Sequence, residues 1–91
     1  MIYYVRRLDT GEIKIGHSGN VPQRMATLRS EAGPLELLAT TPGGRAEEHA
    51  LHQRFQWFNT RGEWFVSSTS LINHIRNIVD DGKQRCLSQT P

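Results

Sequence analysis

The sequence predicts a small α+β domain whose strands and helices follow one another in the order ββαβαα. Strand-like runs rich in Ile, Tyr and Val open the chain, Gly and Pro clusters separate its segments, and apolar residues recur at helical spacing in later segments. With 91 residues the chain has room for one hydrophobic core. We therefore expect one domain over residues 1–80 and a polar, flexible tail over residues 81–91.

Capping and breaking residues set the expected boundaries of the elements. Asn20 is a suitable N-cap for a helix that has Pro22 in its first turn. Gly33-Pro34 and Pro42-Gly43-Gly44 interrupt the chain on either side of a strand. The predicted strands lie at residues 1–8, 12–16 and 35–41, with a shorter candidate at 63–66, and the predicted helices lie at residues 21–29, at 45–58 and after Ser67 or Ser68.

The register of the first hairpin decides which side chains share a face. A three-residue loop places Tyr3 on the same face as Ile13 and Ile15. A four-residue loop pairs Leu8 with Ile13 and gives the opposite face to Tyr3, Val5, Arg7, Lys14 and Gly16. Because a slip of one residue exchanges the two faces, the alternation alone leaves both registers open.

Two predicted helices carry a charged residue close to their apolar stripe. Arg24 lies within about 60° of the stripe on the first helix, and Glu48 lies about 20° from Phe55 on the second. A charge at such a position must be partnered or must face a cleft. The alternative for Arg24 is that the aliphatic part of its side chain covers apolar surface while the guanidinium reaches solvent. The alternative for Glu48 is that its carboxylate is solvated and contacts His52 one turn later. Tyr3 has the alternative of being a core aromatic. The expected stripes are Val21-Met25-Leu28, Leu51-Phe55-Phe58 and Leu71-Ile75-Val79.

Composition narrows the classes of function without selecting one. The net charge of +2 and the pI of about 9.1 are compatible with an anionic partner but do not prove one. No stretch approaches the roughly 18 apolar residues of a membrane span. The single cysteine, Cys86, excludes an internal disulfide and favours a reducing cytoplasm. The strand-like start leaves no room for a signal peptide, so we expect a cytoplasmic protein without membrane contact.

The order and spacing of several short motifs resemble the GIY-YIG nuclease superfamily, and the second half resembles a small phage and bacterial branch of it. The resemblance covers approximately residues 1–75. It implies a three-stranded antiparallel sheet flanked by helices and metal-dependent hydrolysis of a nucleic-acid phosphodiester. It also favours the four-residue loop, because both tyrosine positions of the motifs face the site. The motifs are Ile2-Tyr3, Lys14-Ile15-Gly16, Arg24, then Glu48, His52, Phe55 and Gly62-Glu63-Trp64-Phe65.

The resemblance leads to an expected set of site residues. Arg24 would stabilise the phosphoryl oxygens, and Tyr3 would accept or relay the proton of the attacking water. The chain departs from the family pattern at Met1, where a glycine is usual, at Lys14, where a tyrosine is usual, and at Leu28, where a candidate base stands in other members. The expected catalytic residues are Tyr3, Lys14, Arg24 and His52, the substrate contacts are Gly16, Arg7 and Arg61, and the metal ligand is Glu48.

The expected cofactor is a single Mg²⁺ or Mn²⁺, which needs few protein ligands because it keeps waters and takes oxygens of the substrate phosphate. The expected partner is DNA, with RNA as the alternative. Specificity would be low, or it would come from a homodimer or a second protein. Two rival interpretations remain. One is a catalytically inactive module that binds nucleic acid or a protein partner on the same fold. The other is a zinc site built from Glu48, His49 and His52, although helical spacing spreads these side chains over more than one direction.

The remaining aromatic and histidine residues are expected to be structural. Trp64 and Phe65 should pack under the third helix, and Trp57 should lie at the surface. His74 has no evident partner in the sequence.

Overall fold

The structure, a computed structural model, describes the backbone of residues 1–88 and the side chains of residues 1–81. Within this range five strands form one antiparallel sheet in the order β3-β1-β2-β5-β4, accompanied by three α-helices and a 3-10 turn at Gln56–Phe58. The strands are β1 Ile2–Arg7, β2 Ile13–His17, β3 Leu35–Thr41, β4 Asn59–Arg61 and β5 Trp64–Phe65, and the helices are α1 Val21–Ala32, α2 Arg45–Arg54 and α3 Thr69–Ser88.

The predicted three-stranded sheet and the order ββαβαα are wrong, because the chain follows the order ββαβαββα. The difference is a short hairpin, β4–β5, which pairs with β2. Its strands have three and two residues, too few for an alternating pattern to be recognised. Gly62 makes the turn between them in the left-handed region, at φ 51°. The predicted turn at residues 59–62 therefore contains one strand, and only part of the candidate strand at 63–66 forms.

The helices begin where the sequence predicts but end at other residues. The Asn20 side-chain oxygen accepts a hydrogen bond from the Gln23 N–H at 3.2 Å and caps α1. The second helix ends at Arg54, and the chain tightens into the 3-10 turn where Phe55 and Phe58 pack against one core. The backbone of α3 continues to Ser88. The predicted tail begins at residue 81, so its first part belongs to this helix. Residues 89–91 lie outside the described residues, and the flexibility of the tail stays a prediction.

The first hairpin has the division of faces that the four-residue loop predicts. Tyr3 lies opposite Gly16, and Arg6 lies opposite Ile13. The pairing of Leu8 with Ile13 does not form, because Leu8 belongs to the loop and is 56% exposed. Relative to the predicted pairing, β1 is shifted by two residues along β2. Because side chains alternate between the faces of a strand with a period of two, this shift leaves every side chain on its predicted face.

Each face of the sheet has its own core. The face toward α1 carries a cluster that Trp64 joins from the edge, and the opposite face is covered by α2 and α3. Trp64 therefore packs on the α1 side and not under the third helix as predicted, since neighbouring residues of a strand point to opposite faces. Its neighbour Phe65 does pack with Leu71 and Ile75 of α3. The α1-side cluster comprises Tyr3, Val5, Met25, Leu28 and Leu35, and the other cluster includes Ile2, Tyr4, Ile13, Ile15 and Phe55.

His74 has two polar partners that the sequence did not reveal. Its Nε2 lies 2.9 Å from the Tyr4 hydroxyl, and its Nδ1 lies 3.5 Å from an Arg54 guanidinium nitrogen. Because a guanidinium only donates, Nδ1 is the acceptor and Nε2–H donates to Tyr4. Burial raises the pKa of Tyr4 to about 12, and burial followed by the charge of Arg54 lowers the pKa of His74. The triad joins β1, α2 and α3.

Within the part of the chain that the structure describes, none of the helices combines the length and apolar character needed to cross a membrane.

Candidate active site

Tyr3, Gly16 and Arg24, three of the predicted site residues, lie together on the α1 side of the sheet. The Tyr3 ring is 1% exposed and lies across the backbone of Gly16, where a Cβ atom would overlap it. The Arg24 Nε–H donates to the Tyr3 hydroxyl at 3.4 Å, and this hydrogen bond raises the pKa of Arg24. The absence of a side chain at Gly16 thus lets a buried tyrosine direct its hydroxyl toward a helix arginine.

A cavity of about 320 Å³ opens beside Arg24 and is rich in cations. Its walls include Lys14, Arg7 and Arg61. Arg7 and Arg61 are two of the predicted substrate contacts. Trp64 forms one wall, with the Lys14 Nζ 5.6 Å and the Arg7 Cζ 5.8 Å from its ring centroid. Guanidinium and ammonium groups gathered around a concave surface suit the oxygens of a phosphate.

Lys14 is held in this cavity by Glu63, a residue that the sequence analysis did not select. The Lys14 Nζ and the Glu63 Oε2 are 2.6 Å apart, and the Lys14 side chain is only 10% exposed. Burial by itself would raise the pKa of Glu63, but the hydrogen bond and charge of Lys14, together with the charge of His52, keep that pKa below its usual range. The available signal was the Gly62-to-Phe65 motif, but nothing in the sequence paired it with Lys14.

Glu48 faces a neighbouring open pocket and not the cationic cavity. It is half-buried on the first turn of α2, and the pocket also contains His17, His49 and Glu63. The preceding residue, Glu47, points elsewhere: its Oε2 accepts a hydrogen bond from the Gly44 N–H at 2.8 Å. The Glu63 carboxyl, which pairs with Lys14 in the cationic cavity, also lines the open pocket that Glu48 faces. Glu63 therefore connects the two halves of the site.

His52 contacts the backbone of β2. Its Nε2–H donates to the Ile15 carbonyl at 2.8 Å, and its ring meets Phe65 edge-on at 5.1 Å. The Ile15 N–H donates to the Glu63 carbonyl at 3.1 Å, so both backbone groups of Ile15 face the β5 side. In a longer β5, a backbone N–H would donate to the Ile15 carbonyl. Because β5 has only two residues, the His52 imidazole donates to this carbonyl instead. A catalytic role for His52 stays a prediction.

The side chains at Glu48 fit an oxygen-seeking divalent ion better than zinc. Among the described side chains, no group of three or more His, Cys, Asp and Glu residues converges in a way that could hold a metal. The zinc hypothesis is not supported, because His52 directs its Nε2 to a backbone carbonyl. The carboxylate of Glu48 is a hard oxygen donor that faces an open pocket, and Mg²⁺ or Mn²⁺ can complete such a site with waters and phosphate oxygens.

Comparison with known protein families gives a match over most of the chain. The model of the T5orf172 domain, a nuclease-associated domain similar to GIY-YIG domains, matches residues 1–80. No curated protein and no solved structure matches the chain significantly.

Proposed function

Because the chain belongs to the T5orf172 domain family, we propose that it is a metal-dependent endonuclease that hydrolyses phosphodiester bonds of DNA. The observation that carries the proposal is the joined site: Arg24 and Lys14 line a cationic cavity, and Arg24 bonds the Tyr3 hydroxyl. Glu63 pairs with Lys14 and also lines the pocket of Glu48. Hydrolysis of a phosphodiester needs a positioned phosphate, stabilisation of its oxygens and a group that handles the proton of water. The joined site offers a side chain for each requirement.

The cationic side chains would bind and stabilise the phosphate. Arg24 would donate two hydrogen bonds to its non-bridging oxygens, a geometry that a guanidinium supplies and an ammonium does not. Lys14 would add a charge from the floor of the cavity. Arg7 and Arg61, at the rim, would hold the neighbouring phosphates of the strand.

The Tyr3 hydroxyl would accept or relay the proton of the attacking water. Its ring is fixed by Gly16 and by the α1-side core, so the oxygen has one position. The Arg24 Nε–H already donates to this oxygen, so the proton of the hydroxyl points away from Arg24. That proton would pass to a water or phosphate oxygen as the Tyr3 oxygen takes the proton of the attacking water. A fixed acceptor beside the bound phosphate is the arrangement that proton transfer needs.

Glu48 would hold the Mg²⁺ or Mn²⁺ ion. When bound, this ion would supply Lewis-acid stabilisation of the phosphate and of the leaving oxygen. The motifs Lys14-Ile15-Gly16 and Gly62-to-Phe65 support a place for the chain in the small phage and bacterial branch of the GIY-YIG superfamily.

Glu48→Ala tests the metal assignment. We expect the rate of Mg²⁺-dependent cleavage of plasmid and single-stranded DNA to fall by roughly 100-fold or more, as when a group that stabilises the transition state is lost. The melting temperature should change little, because Glu48 faces an open pocket. The measurement is a gel assay with mapped product ends, run with Mg²⁺ and with EDTA.

Glu47→Ala is the matched control on the same helix. It removes the side chain that bonds the Gly44 N–H, so it should lower the melting temperature slightly while leaving cleavage intact. Wild-type cleavage in Glu48→Ala would refute the assignment of Glu48 as the metal ligand.

A second candidate function is DNA binding without cleavage. The observation that favours it is the ion pair between Lys14 and Glu63. In this pair Lys14, a cation expected to contact the substrate, is already bound to a carboxylate. Titration of labelled DNA separates the candidates, since a binding module shifts the DNA with or without Mg²⁺ and never cuts it. The expected cytoplasmic location and a homodimer or specificity-giving partner stay predictions of the sequence.

A further inference from the structure

We infer that Glu63 is a positioning residue of this site, which holds the Lys14 ammonium in place for a phosphate of the substrate. The inference rests on the proposed function and deepens it. Among the described side chains, Lys14 is the only charged one in the buried interior, with 8% of the residue exposed. A buried cation needs a fixed partner, and the carboxylate 2.6 Å away is that partner.

The backbone holds Glu63 at this position. Trp64, the next residue, lies directly opposite Lys14 in the β2–β5 pair. The Glu63 carbonyl accepts the Ile15 N–H at 3.1 Å, so the hairpin is bonded to β2 next to Lys14. Gly62 turns the chain into this position at φ 51°. The carboxylate therefore stands on an element fixed to the strand that carries the lysine.

This arrangement leaves Lys14 able to bind substrate. A lysine side chain has four rotatable bonds, and without an anchor its ammonium samples many positions. Here the carboxylate lies on one side of the ammonium and the Trp64 ring lies 5.6 Å from it. An ammonium has three N–H donors, so one bond to Glu63 leaves two for the oxygens of a phosphate in the cavity.

A double-mutant cycle of Lys14→Met and Glu63→Gln tests the inference. Affinity for a labelled DNA duplex is measured in EDTA, where no cleavage occurs, and single-turnover cleavage is measured in Mg²⁺. If Glu63 acts through Lys14, Glu63→Gln should weaken binding about 10-fold with Lys14 present and by less than about twofold in the Lys14→Met background. The single-turnover rate should show the same dependence, and Glu63→Asp should restore part of both losses.

The sign of the binding change separates positioning from simple electrostatics. If Glu63 were only a negative charge near the DNA, its removal would strengthen binding in both backgrounds, and the inference would be overturned. An equal loss in both backgrounds would also overturn it, because Glu63 would then act without Lys14. A protein that never cleaves DNA contradicts the proposed function, whereas the binding cycle in EDTA still decides the role of Glu63.

Glu36→Gln is the matched control. It breaks the exposed pair between Arg6 and Glu36, whose atoms are 3.0 Å apart, and should change binding by less than about twofold. Thermal unfolding is recorded for every variant. Should Glu63→Gln fail to fold, Glu63→Asp and the double variant, which has no unpaired buried cation, complete the comparison.

Discussion

Gly16 determines the position of the tyrosine in the candidate site. The Tyr3 ring lies so close to the Gly16 Cα that a methyl group there would overlap the ring carbons and the hydroxyl. Gly16 has no unusual backbone angle, so the requirement is one of space and not of conformation. A change at this residue would therefore act on the site through Tyr3.

Gly16→Ala should displace the Tyr3 ring and separate its hydroxyl from Arg24. We expect a loss of about 1–3 kcal/mol in unfolding free energy, the usual cost of overpacking a core, together with a loss of DNA cleavage. Urea unfolding and the plasmid assay measure the two effects. Gly19→Ala is the control, since no atom lies within 4 Å of its new methyl group. Full activity in Gly16→Ala would show that the ring position does not matter.

The adjacent residues Tyr3 and Tyr4 belong to different parts of the molecule. Tyr3 faces α1 and the candidate site, while Tyr4 faces the other core and bonds His74. One strand thus supplies a candidate catalytic group and a structural group in succession. Alternation makes this division predictable once the register is known, and the family resemblance was needed to choose the register.

Among the helices and strands, the sequence predicts those whose apolar residues recur with a clear helical or strand period. The strand at residues 35–41 has the predicted bounds, and the starts of α1 and α2 follow from Asn20 and from the break at Gly43-Gly44. Of the β4–β5 hairpin, the sequence predicts only a candidate strand at 63–66, of which Trp64–Phe65 forms. The strand β4 and the pairing with β2 were missed, because these short strands are stabilised by that pairing and not by a pattern of their own.

The same hairpin explains which site residues were missed. Tyr3, Lys14, Gly16 and Arg24 come from elements with clear patterns, and the structure brings them together. Glu63 lies in the hairpin, so its contact with Lys14 depends on a pairing that the sequence analysis did not contain. Knowledge of the β2–β5 pair would have been sufficient to find it.

For the whole molecule, the triad of Tyr4, His74 and Arg54 ties both helices of one face to the sheet. In the unfolded chain His74 takes up a proton near pH 6.5, and in the folded protein its pKa is lower. Between these two values the unfolded state binds more protons, so acidification favours unfolding there. Above pH 6.5 the imidazole is neutral in both states, and its contribution to stability is complete.

We therefore expect the unfolding free energy to decrease as the pH falls from 7.5 to 5, and His74→Gln to reduce this decrease. Urea unfolding at a series of pH values measures both slopes. His49→Gln, which removes an exposed imidazole, is the control and should keep the wild-type slope. Identical slopes for wild type and His74→Gln would exclude His74 as a source of acid sensitivity.

The placement of the two tryptophans has a spectroscopic consequence. Trp57 is 87% exposed, whereas Trp64 forms a wall of the cationic cavity with two positive charges near its ring. Indole emission responds to nearby charge, so a ligand that draws Lys14 or Arg7 toward itself should alter the signal of Trp64. In a Trp57→Phe variant this indole would be the sole tryptophan fluorophore. The protein would then report occupancy of its own cavity without an attached dye.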